Sequence, residues 1–471
     1  MTEQRGRASL WILWGVLSLM AAGYLTAGIV KKEDRSSVLA SARAWMLPGP
    51  TTHGHYQIEL ACDSCHTSSF TSAEELQEAC VGCHGQELKE ADDKHPLSKF
   101  VDPRNAPLLE QIDATMCVTC HGEHRPRMTN AMGVTLPDDL CVHCHSTIAE
   151  ERPSHAGMGF ETCASAGCHN FHDNRALYED FLLRHLDTAN TSEKARVASR
   201  DFLEIASMLP EYPSDRYPIG ALGESQADAP AHAKANAAAM SEWLASSHAA
   251  AGVNCSGCHQ SAESGTWIDR PDHTACAACH APEVKGFTSG KHGMRFAQGM
   301  SPMTPGQARL PMWPQVKDTP LTCSTCHGAH TFDTASAATE SCLGCHADQH
   351  STSYKHSKHF ELWQKELSGE LPEGSGVTCA TCHMPRIEHR DPEFDLKRTL
   401  VQHNQNDTLR PNEKMLRPVC LSCHALQFSI DALADEALIE RNFAGAPAVH
   451  IRSLEMARER LREHEAQRNR E

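Results

Sequence analysis

The longest apolar run of the chain lies at its start. Ser9 to Val30, "SLWILWGVLSLMAAGYLTAGIV", holds no charged residue over 22 positions and is flanked by "EQRGR" and "KKEDR". About 20 apolar residues span a bilayer as a helix, and the apolar part of a signal peptide is usually shorter, so this run predicts an uncleaved transmembrane anchor. Elsewhere apolar residues come in short helical clusters. "ALYEDFLLRHLDTAN" and "SEKARVASRDFLEIASML" read as helices, "PEYPSDRYPIGALGESQADAP" as a loop, and "AHAKANAAAMSEWLASSHAAAG" as an Ala-rich helix. Near the C-terminus "ALQFSIDALADEALIERNF" and "AVHIRSLEMARERLREHEAQRNRE" predict two long helices separated by "AGAP", with His450 and His464 as plain surface residues.

A second pattern cuts across these elements. "CDSCH" at 62 recurs as "CVGCH" at 80, "CVTCH" at 117, "CVHCH" at 141, "CSGCH" at 255, "CAACH" at 276, "CSTCH" at 323, "CLGCH" at 342, "CATCH" at 379 and "CLSCH" at 420. C-x-x-C-H is the attachment signature of c-type haem: two thiols bond the porphyrin edge and the adjacent imidazole swings over its face to the iron. Disulfide frameworks and zinc sites do not require a histidine after every second cysteine. The ten motifs use 20 of the 22 cysteines, which leaves Cys163 and Cys168 in "CASAGCHNFH", again followed by a histidine. Four intervening residues instead of two fit a variant of the same attachment site, with a structural disulfide as the alternative, so the expected complement is eleven covalently bound haem c groups. The thiol pairs that would hold them are Cys62 and Cys65, Cys80 and Cys83, Cys117 and Cys120, Cys141 and Cys144, and Cys163 and Cys168 in the first half of the chain. In the second half they are Cys255 and Cys258, Cys276 and Cys279, Cys323 and Cys326, Cys342 and Cys345, Cys379 and Cys382, and Cys420 and Cys423.

The bulk properties fit that count. Hydrophobic residues make up only 40% of 471, with 25 prolines and 29 glycines, a thin supply of core for this length. Porphyrins must then provide much of the apolar interior. The expected fold is mainly α with long loops, with short helices at the attachment sites, little or no sheet, two haem modules and long C-terminal helices behind an N-terminal transmembrane helix. A formal charge of −17 argues against nucleic acid as a partner and favours basic redox partner proteins. Because covalent haem attachment is made outside the cytoplasmic membrane, the haem domains are expected in the periplasm, anchored to the inner membrane. The domain reading is an anchor at 1–35, a five-haem module at 50–190, a helical connector at 191–245, a six-haem module at 246–430 and C-terminal helices at 431–471. An internal repeat is also legible, with first-cysteine positions 62, 80 and 117 set against 323, 342 and 379.

The proximal iron ligands are His66, His84, His121, His145, His169, His259, His280, His327, His346, His383 and His424. Twenty further histidines are available for the opposite axial positions. A second imidazole makes an electron carrier; an open face can bind substrate. Distal candidates are His53 or His55, His95, His124, His155 and His172 in the first module, with His143 and His185 in reserve. In the second they are His248, His273, His292, His330, His359 and His403. Histidines three or four places past a proximal one, such as His124, His172, His330 and His350, emerge on the same side as their own ring and are expected to serve a neighbouring haem.

The stretch from Cys255 onward resembles the multihaem family of hydroxylamine oxidoreductase, octahaem tetrathionate reductase and the ammonia-forming nitrite reductase. The resemblance rests on "CSTCHGAHTFD", "CLGCHADQHSTSYKHSKHFELW", "CATCHMP" and "VQHN". The first five motifs resemble cytochrome c3-like and pentahaem electron-donor proteins, through "CHGEH" and the variant site at Cys163. By resemblance, an open catalytic haem would be that of Cys276, Cys279 and His280, with His350, Asp348 and Tyr354 at its pocket and a small oxyanion such as nitrite, or hydroxylamine, as substrate. The chain departs from that family in carrying Gln349 directly before His350, in lacking tyrosine between "CATCHMP" and the last motif, and in lacking a C-x-x-C-K site. The reading that follows is an electron carrier from the membrane quinol pool or a dehydrogenase to a periplasmic acceptor, with a reductase as the alternative.

Overall fold

The computed structural model describes residues 2–30, 44–159, 171–172, 179–186, 220–391, 396–409 and 412–470, apart from 69, 92–94, 96–99, 101, 111, 130–133, 138, 139 and 262. The variant site at Cys163, Cys168 and His169, and the predicted helix over "SEKARVASRDFLEIASML", lie outside these residues. The described chain is mainly helical in short pieces, with one antiparallel hairpin of strands β1 (Arg386–Asp391) and β2 (Leu396–Val401). Thr2–Val30 is helical, as its apolar run predicts. Among the described residues no helix is long and apolar enough to cross a membrane, so the transmembrane reading of this run is carried by its sequence alone.

The chain divides into two compact units: 1–163 with 170–174 and 294–302, and 164–169 with 175–293 and 303–471. The described part of the expected 191–245 connector thus groups with the second unit, and the short segment 294–302 with the first.

In the first unit the longest helix past the N-terminus is Ala73–Glu90, which carries the second motif on its surface. Its start is a reciprocal capping box: Ser72 accepts from the Glu75 amide and the Glu75 carboxylate accepts from that of Ser72. Segment 294–302 is held by polar bonds, with the Arg295 guanidinium donating to the Gln57 carbonyl at 2.9 Å and the Ser64 hydroxyl donating to Gln298.

The second unit owns the one substantial aliphatic core among the described residues. Leu416, Leu426, Ile430, Leu433 and Leu454 are buried together with Phe181 and Leu182, beside the last motif. The Ala-rich stretch does not form one helix. Asn236 and Ser246 accept from amides three residues ahead and restart the backbone, giving Ala231–Lys234, Ala237–Leu244 and Ser247–Ala250. The predicted helix after the last motif is likewise cut at Asp435, whose carboxylate accepts from Leu438 and Ala448. His450 is not a bare surface residue: its ring bridges Asp431 and Glu455, both at 3.1 Å.

Candidate haem sites

Each described site begins with a helical turn. Residues three and four apart share one helix face, so two cysteines at i and i+3 and a histidine at i+4 present their side chains together. The turn closes on the histidine amide, which donates to the first cysteine's carbonyl in 62–66, 117–121, 141–145, 342–346 and 420–424 at 2.8–2.9 Å. Thr378 caps the turn at Cys379–His383 and Asn254 that at Cys255–His259. In the 273–289 helix the backbone leaves helical geometry at His280, two residues before Pro282, whose ring disfavours helix just ahead of it. All twenty described cysteines are free thiols. At the second positions Cys120, Cys144, Cys345 and Cys423, burial pushes the thiol up from its ordinary value, so each is presented to the porphyrin edge uncharged.

Nine of the proximal histidines face a second imidazole at a narrow range of distances. In the first unit His84 faces His55 at 5.9 Å, His145 faces His95 at 6.3 Å and His121 faces His172 at 6.3 Å. In the second unit the pairs are His280 with His248 at 6.1 Å, His259 with His330 at 5.9 Å, His346 with His292 at 6.3 Å, His327 with His403 at 6.2 Å, His383 with His350 at 6.0 Å and His424 with His359 at 6.3 Å. Two metal–nitrogen bonds of about 2.0 Å plus about 1.1 Å from each nitrogen to its ring centre give about 6.2 Å. Rings in direct van der Waals stacking would sit closer. The spacing therefore fits one iron between each pair of rings, and the turn beneath it supplies the two thiols that covalent haem attachment needs.

Several far ring nitrogens are tied down, as those of metal-bound histidines usually are, whereas the Nδ1 of His248 is buried without a hydrogen-bond partner among the described residues. The Nδ1 of His95 lies 2.8 Å from the Phe171 carbonyl, that of His259 2.7 Å from Ile268, that of His350 2.5 Å from Ile439 and that of His403 2.9 Å from Val401. His55 instead meets a carboxylate, Glu123 Oε1, at 2.6 Å, and Glu123 also accepts from the Thr52 amide and hydroxyl. Burial works against ionisation of Glu123, but these hydrogen bonds outweigh it and hold the carboxyl at about 2. Burial dominates at His248, His292, His359 and His383, each pushed down to about 4 and so kept as the neutral imidazole a metal binds.

Thiols of successive motifs also approach each other. In the first unit Cys80 lies beside Cys117 and Cys65 lies near Cys83. In the second Cys276 lies beside Cys323 and Cys342 beside Cys379, while Cys258, Cys326 and Cys382 lie near the thiols of the motifs that follow them. Attachment edges therefore succeed one another along the second unit in sequence order.

The residues expected at an open haem are arranged differently. His280 faces His248, while His350 faces His383, the proximal histidine of a different motif. Asp348 accepts from the Ser351 amide and hydroxyl and lies 3.6 Å from His346. The buried Tyr354 donates to the Val377 carbonyl at 2.8 Å. These three residues gather around the motifs of His346 and His383, because the short helix of Gln349–Ser353 turns them back toward their own end of the chain. The pocket role of His350 came from resemblance alone, whereas its place four residues past His346, similar to those of His330 and His172, already marked it as a ligand for a neighbouring haem. Of the other distal candidates, His53 packs on Tyr56 at 5.7 Å, His155 lies 3.2 Å from the Ser154 hydroxyl and His273 opens the 273–289 helix. His124 is held by the Gly49 carbonyl at 2.8 Å. In reserve, His143 sits within the turn at Cys141 and His185 packs by Phe181 at 4.6 Å.

Residues 54–146, which carry the first four motifs, match the cytochrome c3 family. No curated protein and no solved structure matches the chain significantly, so the resemblance of its C-terminal part to the hydroxylamine oxidoreductase group is carried by motifs alone. The cytochrome c3 match supports a multihaem c-type cytochrome with covalently bound haem c and a role in electron transfer.

Proposed function

We propose that this protein is a membrane-anchored undecahaem electron conduit, taking electrons from the quinol pool or a membrane dehydrogenase to a periplasmic acceptor. The observation that carries the reading is the set of ring pairs at 5.9–6.3 Å, which in the second unit gives a partner to every described proximal histidine. Haem c held between two imidazoles supplies a one-electron ferric/ferrous couple with no face left for substrate. The polypeptide's part is to clamp the imidazoles, fix their tautomers through Nδ1 and bring successive attachment turns together. The eleventh group would be held by Cys163, Cys168 and His169, and the anchor by the uncharged run from Ser9 to Val30.

The test uses the full, matured chain. Its mass should exceed the polypeptide by eleven haems, its oxidised electron paramagnetic resonance spectrum should be low-spin, and the reduced protein should not be reoxidised by nitrite or hydroxylamine. Turnover of either substrate at a high-spin haem sinks the conduit. Deletion of residues 1–35 behind a cleavable signal should release the protein from membranes, and retention there would remove the anchor from the proposal.

A further inference from the structure

The pairings obey one rule in both units. In the first, the second motif's His84 takes its partner, His55, from ahead of the first motif; the fourth motif's His145 takes His95 from between the second and third; the third motif's His121 takes His172 from beyond the fifth. Counting from Cys255, the second motif's His280 takes His248 from ahead of the first, the fourth motif's His346 takes His292 from between the second and third, and the third motif's His327 takes His403 from beyond the fifth. Three independent long-range choices coincide.

Other features repeat at the same places. The second motif of each set lies in a long helix, Ala73–Glu90 or His273–Ser289. Its histidine is followed three residues on by a glutamate within 4.0 Å, Glu87 or Glu283. The first cysteines of the second and third motifs lie beside each other in both, Cys80 with Cys117 and Cys276 with Cys323. The repeat read from the sequence, Cys62 against Cys323, is thus displaced by two motifs; the true counterpart of Cys62 is Cys255. Loop lengths between cysteines drift freely, whereas an imidazole must still reach its iron.

We propose that the chain contains one five-haem ligation circuit twice, followed by a single additional haem at His424, and that the circuit assigns His124 as the sixth ligand of the iron held by Cys62, Cys65 and His66. His66 is the described proximal histidine for which no facing ring is found among the described residues. In the second set the first motif's His259 takes His330, three residues past the third motif's proximal histidine. The counterpart is His124, three residues past His121. Both adopt a left-handed backbone that a bulky side chain rarely takes, φ 61° at His124 and 70° at His330, the kind of strain kept where a side chain must be aimed. With Nδ1 of His124 on the Gly49 carbonyl, Nε2 is left for the metal.

The assignment rests on the haem-ligation reading above, and the experiment separates the two. His124→Ala, His330→Ala and His53→Ala are made in the full chain and matured with haem, and haem content is followed by mass and spin state by magnetic circular dichroism. Loss of one low-spin haem and gain of one high-spin haem is expected for His124→Ala and for His330→Ala, two for the double variant, and no change for His53→Ala. His124→Met, which keeps a ligand in place should the alanine variant fold poorly, should show one methionine-to-iron charge-transfer band and one haem at more positive potential. A change with His330→Ala but none with His124→Ala overturns the circuit and leaves the ligation reading standing. No change with either overturns the ligation reading itself. A high-spin haem already present in the native protein and indifferent to His124, or one produced by His53→Ala, also refutes the assignment.

Discussion

At the scale of single residues, the chemistry is set less by the ligands than by what holds them. His55 is the described distal histidine whose Nδ1 meets a carboxylate, and Glu123 spends its remaining capacity on Thr52. Glu123→Gln should therefore raise the potential of a single haem, the one at His84, because a neutral amide makes His55 a weaker donor; potentiometry with spectral deconvolution checks it, and an unchanged titration refutes it. His359 offers the plainest ligand test. Its replacement by Ala should convert one haem, that of His424, to high-spin with full haem content retained. Glu123 and Gly49 as tethers were not legible in the sequence, since "CHGEH" marks His124 and His121 but not which backbone or side chain closes on them.

At the scale of elements, stability comes from caps and one small core. Ser357 caps the Lys358–Leu367 helix by accepting from the Phe360 amide, and that helix carries His359. Ser357→Ala should cost about 1 kcal/mol and loosen the haem at His424, seen as increased binding of added imidazole or cyanide there. Leu426 is wholly buried in the core beside the last motif; Leu426→Ala should cost about 2–5 kcal/mol in denaturant unfolding. His450 adds a pH dependence. Hydrogen bonds to the Asp431 and then the Glu455 carboxylate raise its pKa above the ordinary value, and a raised folded-state value means its contribution is fully present below the unfolded pKa near 6.5. It should fade as pH climbs through the higher folded value, and His450→Gln should flatten the change in melting temperature across that window. The helices around these groups were readable from apolar spacing; their breaks at Asn236, Ser246 and Asp435 were not, because a polar side chain that turns onto backbone amides looks the same in sequence as one facing water.

At the scale of the whole molecule, the haems must serve as core. Beyond the cluster around Leu416 and Leu426, buried apolar groups among the described residues are scattered and mostly small. Expression in a host unable to attach haem should yield a chain without cooperative unfolding, measured by circular dichroism and calorimetry, whereas a cooperative transition in that material would show that the polypeptide folds alone. The changes at Glu123, His359 and Ser357 should each stay local to one haem, since each acts through one ring pair.

The sequence by itself determined how haem is covalently held, because two thiols and an imidazole on one helical turn are a local arrangement that ten short motifs spell out. It also narrowed the distal ligands to a set of histidines, and placed a mainly helical chain around them. Only the tertiary structure decided which histidine faces which iron site, since partners such as His327 and His403 lie far apart in sequence and the path between them is loop of arbitrary length. The same reason sets His350 at His383 rather than at His280 and underlies the proposed two-motif shift of the internal repeat: spacing counts residues along the chain, while coordination is a distance through space.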